Sequence, residues 1–138
     1  MNRVPCPSRY RWPRSRGGES SASKLPQATP PGDGPTREIT VKTLAGPVES
    51  DRLAPPDIVK IDVEGAENEV LGGMREYLEN GGSRVIYVEL HRPTDWRPSI
   101  EDFGSTEEAF LSDLQSLGFD FTVLHERRAV VHIKASRG

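Results

Sequence analysis

Cysteine is almost absent from this chain: Cys6 is the single one, so no intramolecular disulfide and no cysteine metal cluster can form. That usage fits a reducing compartment, and a cytoplasmic location is the expectation. No apolar run approaches the roughly 18 residues of a membrane span, and none resembles a signal-peptide core. Also missing are a glycine-rich phosphate loop, a Gly-x-Ser-x-Gly elbow and any His/Cys spacing suited to a metal. Hydrolase and metalloprotein readings therefore have no positive support, and no metal is expected.

The residues that are present divide unevenly. Residues 1–37 hold seven basic side chains, two acidic ones and seven of the twelve prolines. With few apolar residues, such a segment cannot bury enough surface to offset the entropy of ordering it, so a disordered basic tail is expected. Its Arg- and Ser-rich start loosely resembles a transit peptide, but the prolines and the lack of an amphipathic pattern argue against one. The whole chain carries −3, so residues 38–138 are acidic at −8. An acidic fold repels phosphates, which argues against nucleic acid as a partner.

From residue 38 onward the patterning is that of an α/β domain. Ile39 to Leu44 alternates as a short strand, and Gly46, Pro47 and Pro55-Pro56 punctuate the stretch after it. Asp57 to Val63 contains four β-branched apolar residues, which suits a strand covered on both faces. Glu64-Gly65 then opens a helical pattern in which Ala66, Val70, Met74 and Leu78 form a core-facing stripe. Glu67 and Glu69 fall in its first turn, where carboxylates suit the helix dipole. The pair Gly72-Gly73 either permits close packing on the sheet or weakens the helix, and Asn80-Gly81-Gly82 ends it.

Arg84 to Leu90 reads as the next strand, completing a unit of βαβ size. Ser105 and Glu108 form a capping box for a helix carrying Phe110, Leu111, Leu114 and Leu117 and stopped by Gly118. Between the strands around Phe121 and Val131 there is no room for a crossover helix, so an antiparallel hairpin should close the chain.

In open α/β sheets, ligands bind beyond the carboxyl ends of the strands. Asp62 and Glu64 follow one strand, and Glu89 and His91 end the next. Each pair is spaced i, i+2, so both members point the same way while the chain stays extended. If the strands are neighbours, three carboxylates and an imidazole converge. Such a cluster can hold a cation, fix the amine or hydroxyls of a ligand, or supply a general base. Solvated strand ends and helix capping are the plainer alternatives, and His91 can equally be a loop histidine bonded to backbone. Lys60 is read as pairing a carboxylate, Trp96 as packing over the sheet edge, and His125 and His132 as structural or exposed.

The run Pro56-Asp57-Ile58-Val59-Lys60-Ile61-Asp62-Val63-Glu64-Gly65-Ala66-Glu67, together with Val70-Leu71-Gly72-Gly73 just after it, resembles the signature of FkbM-type methyltransferases. Val85-Ile86-Tyr87-Val88-Glu89-Leu90-His91 is similar to that family's next strand, and Val41-Lys42-Thr43-Leu44 to the one before. The resemblance covers roughly residues 38–134. It implies a Rossmann-like sheet whose last strand is inserted antiparallel, S-adenosylmethionine as methyl donor, and O-methylation of a small-molecule or sugar hydroxyl. It also implies that Asp62, Glu64, Glu89 and His91 lie near the transfer site as catalytic residues, with Asp62 a candidate cofactor contact. Nothing upstream of Ile39 resembles the family's first strand with its glycine-rich turn. The chain therefore reads as the C-terminal half of such a domain. A non-catalytic remnant, self-association, or a subunit pairing with a separate cofactor-binding half stand as alternatives.

Overall fold

The computed structural model describes residues 41–50 and 52–138. The tail read over residues 1–37 and the positions Ile39 and Thr40 lie outside them. A short helix α1 (Ala45–Glu49) precedes strand β1 (Ile58–Ile61), helix α2 (Glu67–Glu79) and strand β2 (Val85–His91). A 3-10 turn (Ile100–Phe103), helix α3 (Glu107–Ser116) and the strands β3 (Asp120–Arg127) and β4 (Val130–Ser136) complete the chain.

The four strands form one mixed sheet in the order β1-β2-β4-β3. β1 and β2 pair in parallel with Lys60 opposite Tyr87, as a βαβ unit requires. β4 runs antiparallel between β2 and β3, with Glu89 opposite His132. The expected terminal hairpin is therefore present, and its second strand is inserted into the sheet rather than added at the edge. This is a mixed α/β architecture consistent with a partial Rossmann-like fold.

One face of the sheet carries the core. Ile61, Ile86, Val88, Leu90, Val131, Ile133 and Ala135 meet Leu71, Met74, Leu78, Phe110 and Leu114 in a single buried cluster. Removing a side chain such as Phe110 from water contributes about 1.5–3 kcal/mol, so this layer dominates the stability. Among the described residues no element covers the opposite face, contrary to the expectation that β1 is covered on both sides. Ile58 is 62 % exposed, and Lys60 and Tyr87 are exposed beside it. β-Branched richness selects extended backbone; it does not by itself supply a second layer.

Several local expectations are corrected. Residues 41–44 are not a strand: Leu44 precedes α1 and its N–H donates to the Gly73 carbonyl, 3.0 Å away, in α2. Gly46 and Pro47 lie inside α1, where a first-turn proline costs no helical hydrogen bond. α2 starts at Glu67, and Glu64 to Ala66 form a turn. The glycine pair is not a packing device, because a Cβ at Gly72 or Gly73 would meet nothing within 4 Å. Thr106, not Ser105, caps α3, its hydroxyl accepting from the Ala109 N–H at 3.1 Å. A capping box exists instead at Ser99 and Asp102, ahead of the 3-10 turn.

Arg137 fastens the far end of the molecule. Its guanidinium donates to the carbonyls of Leu78 at 2.7 Å and Leu117 at 3.1 Å and to that of Gly82, and lies over the Phe119 ring. It thus satisfies carbonyls at the C-terminal ends of both α2 and α3, where a cation also complements the helix dipole.

Candidate functional site

The chain leaves β1 through a tight turn that only certain residues can make. Glu64 adopts φ +48° and Gly65 φ +106°. A Cβ on Gly65 would lie 2.7 Å from the Ser99 carbonyl oxygen, so glycine is required both for conformation and for close approach. The turn brings the Gly65 N–H to 2.9 Å from Glu67 Oε1 and starts α2 with the Glu67 side chain pointing inward. Glu67 is completely buried, and its Oε1 also meets His91 Nδ1 at 2.5 Å. His91 is itself only 2 % exposed. Hence His91 is the last residue of β2, held by a carboxylate, and not a loop histidine bonded to backbone.

Beyond the imidazole the two strand ends converge. One ligand atom from each of Asp62, Glu89 and His91 lies within 4.8 Å of the others. Lys60 Nζ stands 3.0 Å from Asp62 and 3.2 Å from Glu89, the carboxylate pairing expected of it. Hydrogen bonding to Lys60 holds the Asp62 carboxyl below its ordinary range, and bonds to Asp62 and Glu89 raise the Lys60 ammonium. The Asp62 contribution is therefore present above the ordinary carboxylate pKa and fades as pH falls through the depressed value. The Lys60 contribution is present below the ordinary ammonium pKa and fades as pH rises through the raised one.

Of the four residues singled out from sequence, Asp62, Glu89 and His91 come together and Glu64 does not. β1 ends at Ile61, so the extended geometry that would align Glu64 with Asp62 is lost, and Glu64 points to solvent. Glu67 is a site residue that the sequence pattern assigned elsewhere, to the helix dipole. Its signal was legible: Glu67, Leu71, Met74 and Leu78 fall at i, i+4, i+7 and i+11 and all four are buried. A charged side chain in phase with a core stripe needs a buried partner. Trp96 is 73 % exposed, with Arg97 over its ring, and packs on no sheet edge. His125 is exposed and His132 half-buried, the two rings meeting edge to face.

The surroundings are shallow. A depression of about 190 Å³ beside Lys60 and Glu89 is lined also by Tyr87, Leu124 and His132. That is smaller than the roughly 300 Å³ or more of sites that enclose small molecules. Arg92, next to His91, donates to both Glu107 oxygens at 2.6 and 2.9 Å and to Glu126 at 2.6 Å. It thereby ties the end of β2 to α3 and β3, and these bonds raise its guanidinium pKa further above the working range.

A parallel strand pair in a mixed sheet with an inserted antiparallel strand is consistent with a partial Rossmann-like α/β domain. The Methyltransferase FkbM domain model matches residues 6–121. The chain belongs to that family. The match starts well before residue 38, where the motif resemblance began, and ends before residue 134. The chain is also similar to the hexuronic acid methyltransferase AglP of Haloferax volcanii, with 42 % identity over 59 residues. That stretch is 41 % of this chain and 24 % of AglP, so the match spans about a quarter of that relative's length. No solved structure matches the chain. Among the described residues, no helix is long and apolar enough to cross a membrane.

Proposed function

We propose that this chain supplies the acceptor side of an S-adenosylmethionine-dependent O-methyltransferase acting on a sugar or natural-product hydroxyl. The observation that carries this reading is the convergence of Asp62, Glu89 and His91 beyond parallel β1 and β2, in a member of the FkbM family. The name of AglP makes a hexuronic acid the first acceptor to offer.

The depression beside Lys60 and Glu89, about 190 Å³, is too small to enclose a nucleoside, and the turn after β1 is packed against Ser99 at Gly65. The acids can still meet the cofactor's ammonium or ribose hydroxyls, which gives this chain alone a weak hold on the cofactor even without the full set of adenosine contacts. When bound, the cofactor supplies an electrophilic methyl on a sulfonium. The residues of this chain act on the acceptor: Asp62 and Glu89 orient its hydroxyl, and one of the carboxylates or His91 takes the proton. Glu67 holds the His91 ring in one orientation; with its carboxylate accepting a hydrogen bond from Nδ1–H, Nε2 is the nitrogen left to take a proton. Autonomous turnover by this chain is not required by the reading.

Calorimetry at high protein concentration tests it. S-adenosylmethionine titrated into the full chain should release heat that falls at least several-fold in Asp62→Asn. Absence of binding would sink the enzymatic reading and favour the alternative, a non-catalytic subunit whose open sheet face meets another polypeptide.

A further inference from the structure

We infer that Asp62, Glu89 and His91 form a binding site for one divalent metal cation, with Lys60 holding its place when the ion is absent. No metal is expected from the sequence, because it has no His/Cys metal spacing, although the acids and His91 at the two strand ends are a set that can hold a cation if the strands are neighbours. The fold brings them together: one oxygen or nitrogen from each lies within 4.8 Å of the others, close enough for a single ion to touch all three. Two carboxylates and an imidazole suit ions such as Mn²⁺ or Zn²⁺ and leave further positions open.

The cluster alone would be unremarkable as a set of acids at a surface. The imidazole behind it is what points to a ligand. His91 is almost wholly buried, yet only its Nδ1 has a hydrogen-bond partner among the described residues. That partner is Glu67 Oε1, which is held in turn by the Gly65 N–H. A carboxylate bonded to one histidine nitrogen fixes the tautomer and leaves the other as a lone-pair donor, the arrangement that orients metal-ligating histidines. Glu67 Oε2 is buried without a hydrogen-bond partner. Such an orphaned atom costs stability, which fits a carboxylate kept for what it does to the histidine.

Lys60 explains how the acids coexist without an ion. Its ammonium bridges Asp62 and Glu89 from a side chain that is 60 % exposed, so it can swing away when a cation of higher charge arrives. Metal binding itself does not depend on the methyl-transfer reading.

Mn²⁺ binding to the full chain, monitored by electron paramagnetic resonance of the free ion, tests this without any methyl donor. One ion should bind per chain. Asp62→Asn, at an exposed position that does not threaten folding, should weaken binding at least ten-fold, and Glu67→Gln should weaken it about 10–100-fold by releasing His91. Lys60→Met should tighten binding several-fold, because it removes the competing ammonium. No binding at millimolar Mn²⁺, binding unaltered in Asp62→Asn, or no tightening in Lys60→Met would each overturn the assignment. A cofactor titration that fails while Mn²⁺ binds would refute the proposed function and leave the metal site standing.

Discussion

Gly65 links backbone geometry to site chemistry. Its φ of +106° and the 2.7 Å approach of a hypothetical Cβ to Ser99 O leave no room for a side chain. Gly65→Ala should lower stability by about 2–3 kcal/mol, read from the urea midpoint at unchanged slope. The same substitution should disturb His91 through Glu67, visible as a shifted imidazole resonance. At this scale the sequence was legible where residue type implies position: Asp62, Glu89 and His91 were placed by their relation to strand ends. Glu64 misled because the i, i+2 rule presumes extended backbone, and the strand stops at Ile61. Glu67 lay in view, but its burial becomes apparent only once the helix is phased on Leu71 and Met74 rather than on Ala66 and Val70.

At the level of elements, α2 carries two glycines that its packing does not need. Gly72 is exposed, with nothing within 4 Å of an added Cβ, so Gly72→Ala should raise stability by about 1 kcal/mol, seen as a higher thermal midpoint. A loss of stability instead would show that the helix is packed against something on that side. The strand expected at Ile39–Leu44 failed over its described part, residues 41–44, for a complementary reason. Alternation describes two faces but supplies no hydrogen-bonding neighbour, and the Leu44 N–H found its partner in α2. Caps were misplaced by one residue at α3, since Ser105 and Thr106 are chemically equivalent candidates and only the chain direction chooses between them.

Across the whole molecule, connection lengths carried most of the topology. A helix between β1 and β2 demanded a parallel pair, and the two-residue link between β3 and β4 demanded an antiparallel one. The insertion of β4 beside β2 was implied by family resemblance and is confirmed by the register. The exposure of the outer face among the described residues was not legible, because β-branched richness selects extended backbone whether one face is covered or both. Ile58 and Tyr87 are exposed on that face, while Asp62, Glu89 and His91 come together at the rim, the place proposed for the chemistry.

The most direct test of that placement is a heteronuclear NMR titration of the isotope-labelled full chain with S-adenosylmethionine. The account predicts shifts concentrated in the amides of residues 62–67 and 89–92, with the far end around Arg137 unmoved. Shifts confined to the hairpin or the outer sheet face, or none at millimolar cofactor, would contradict it.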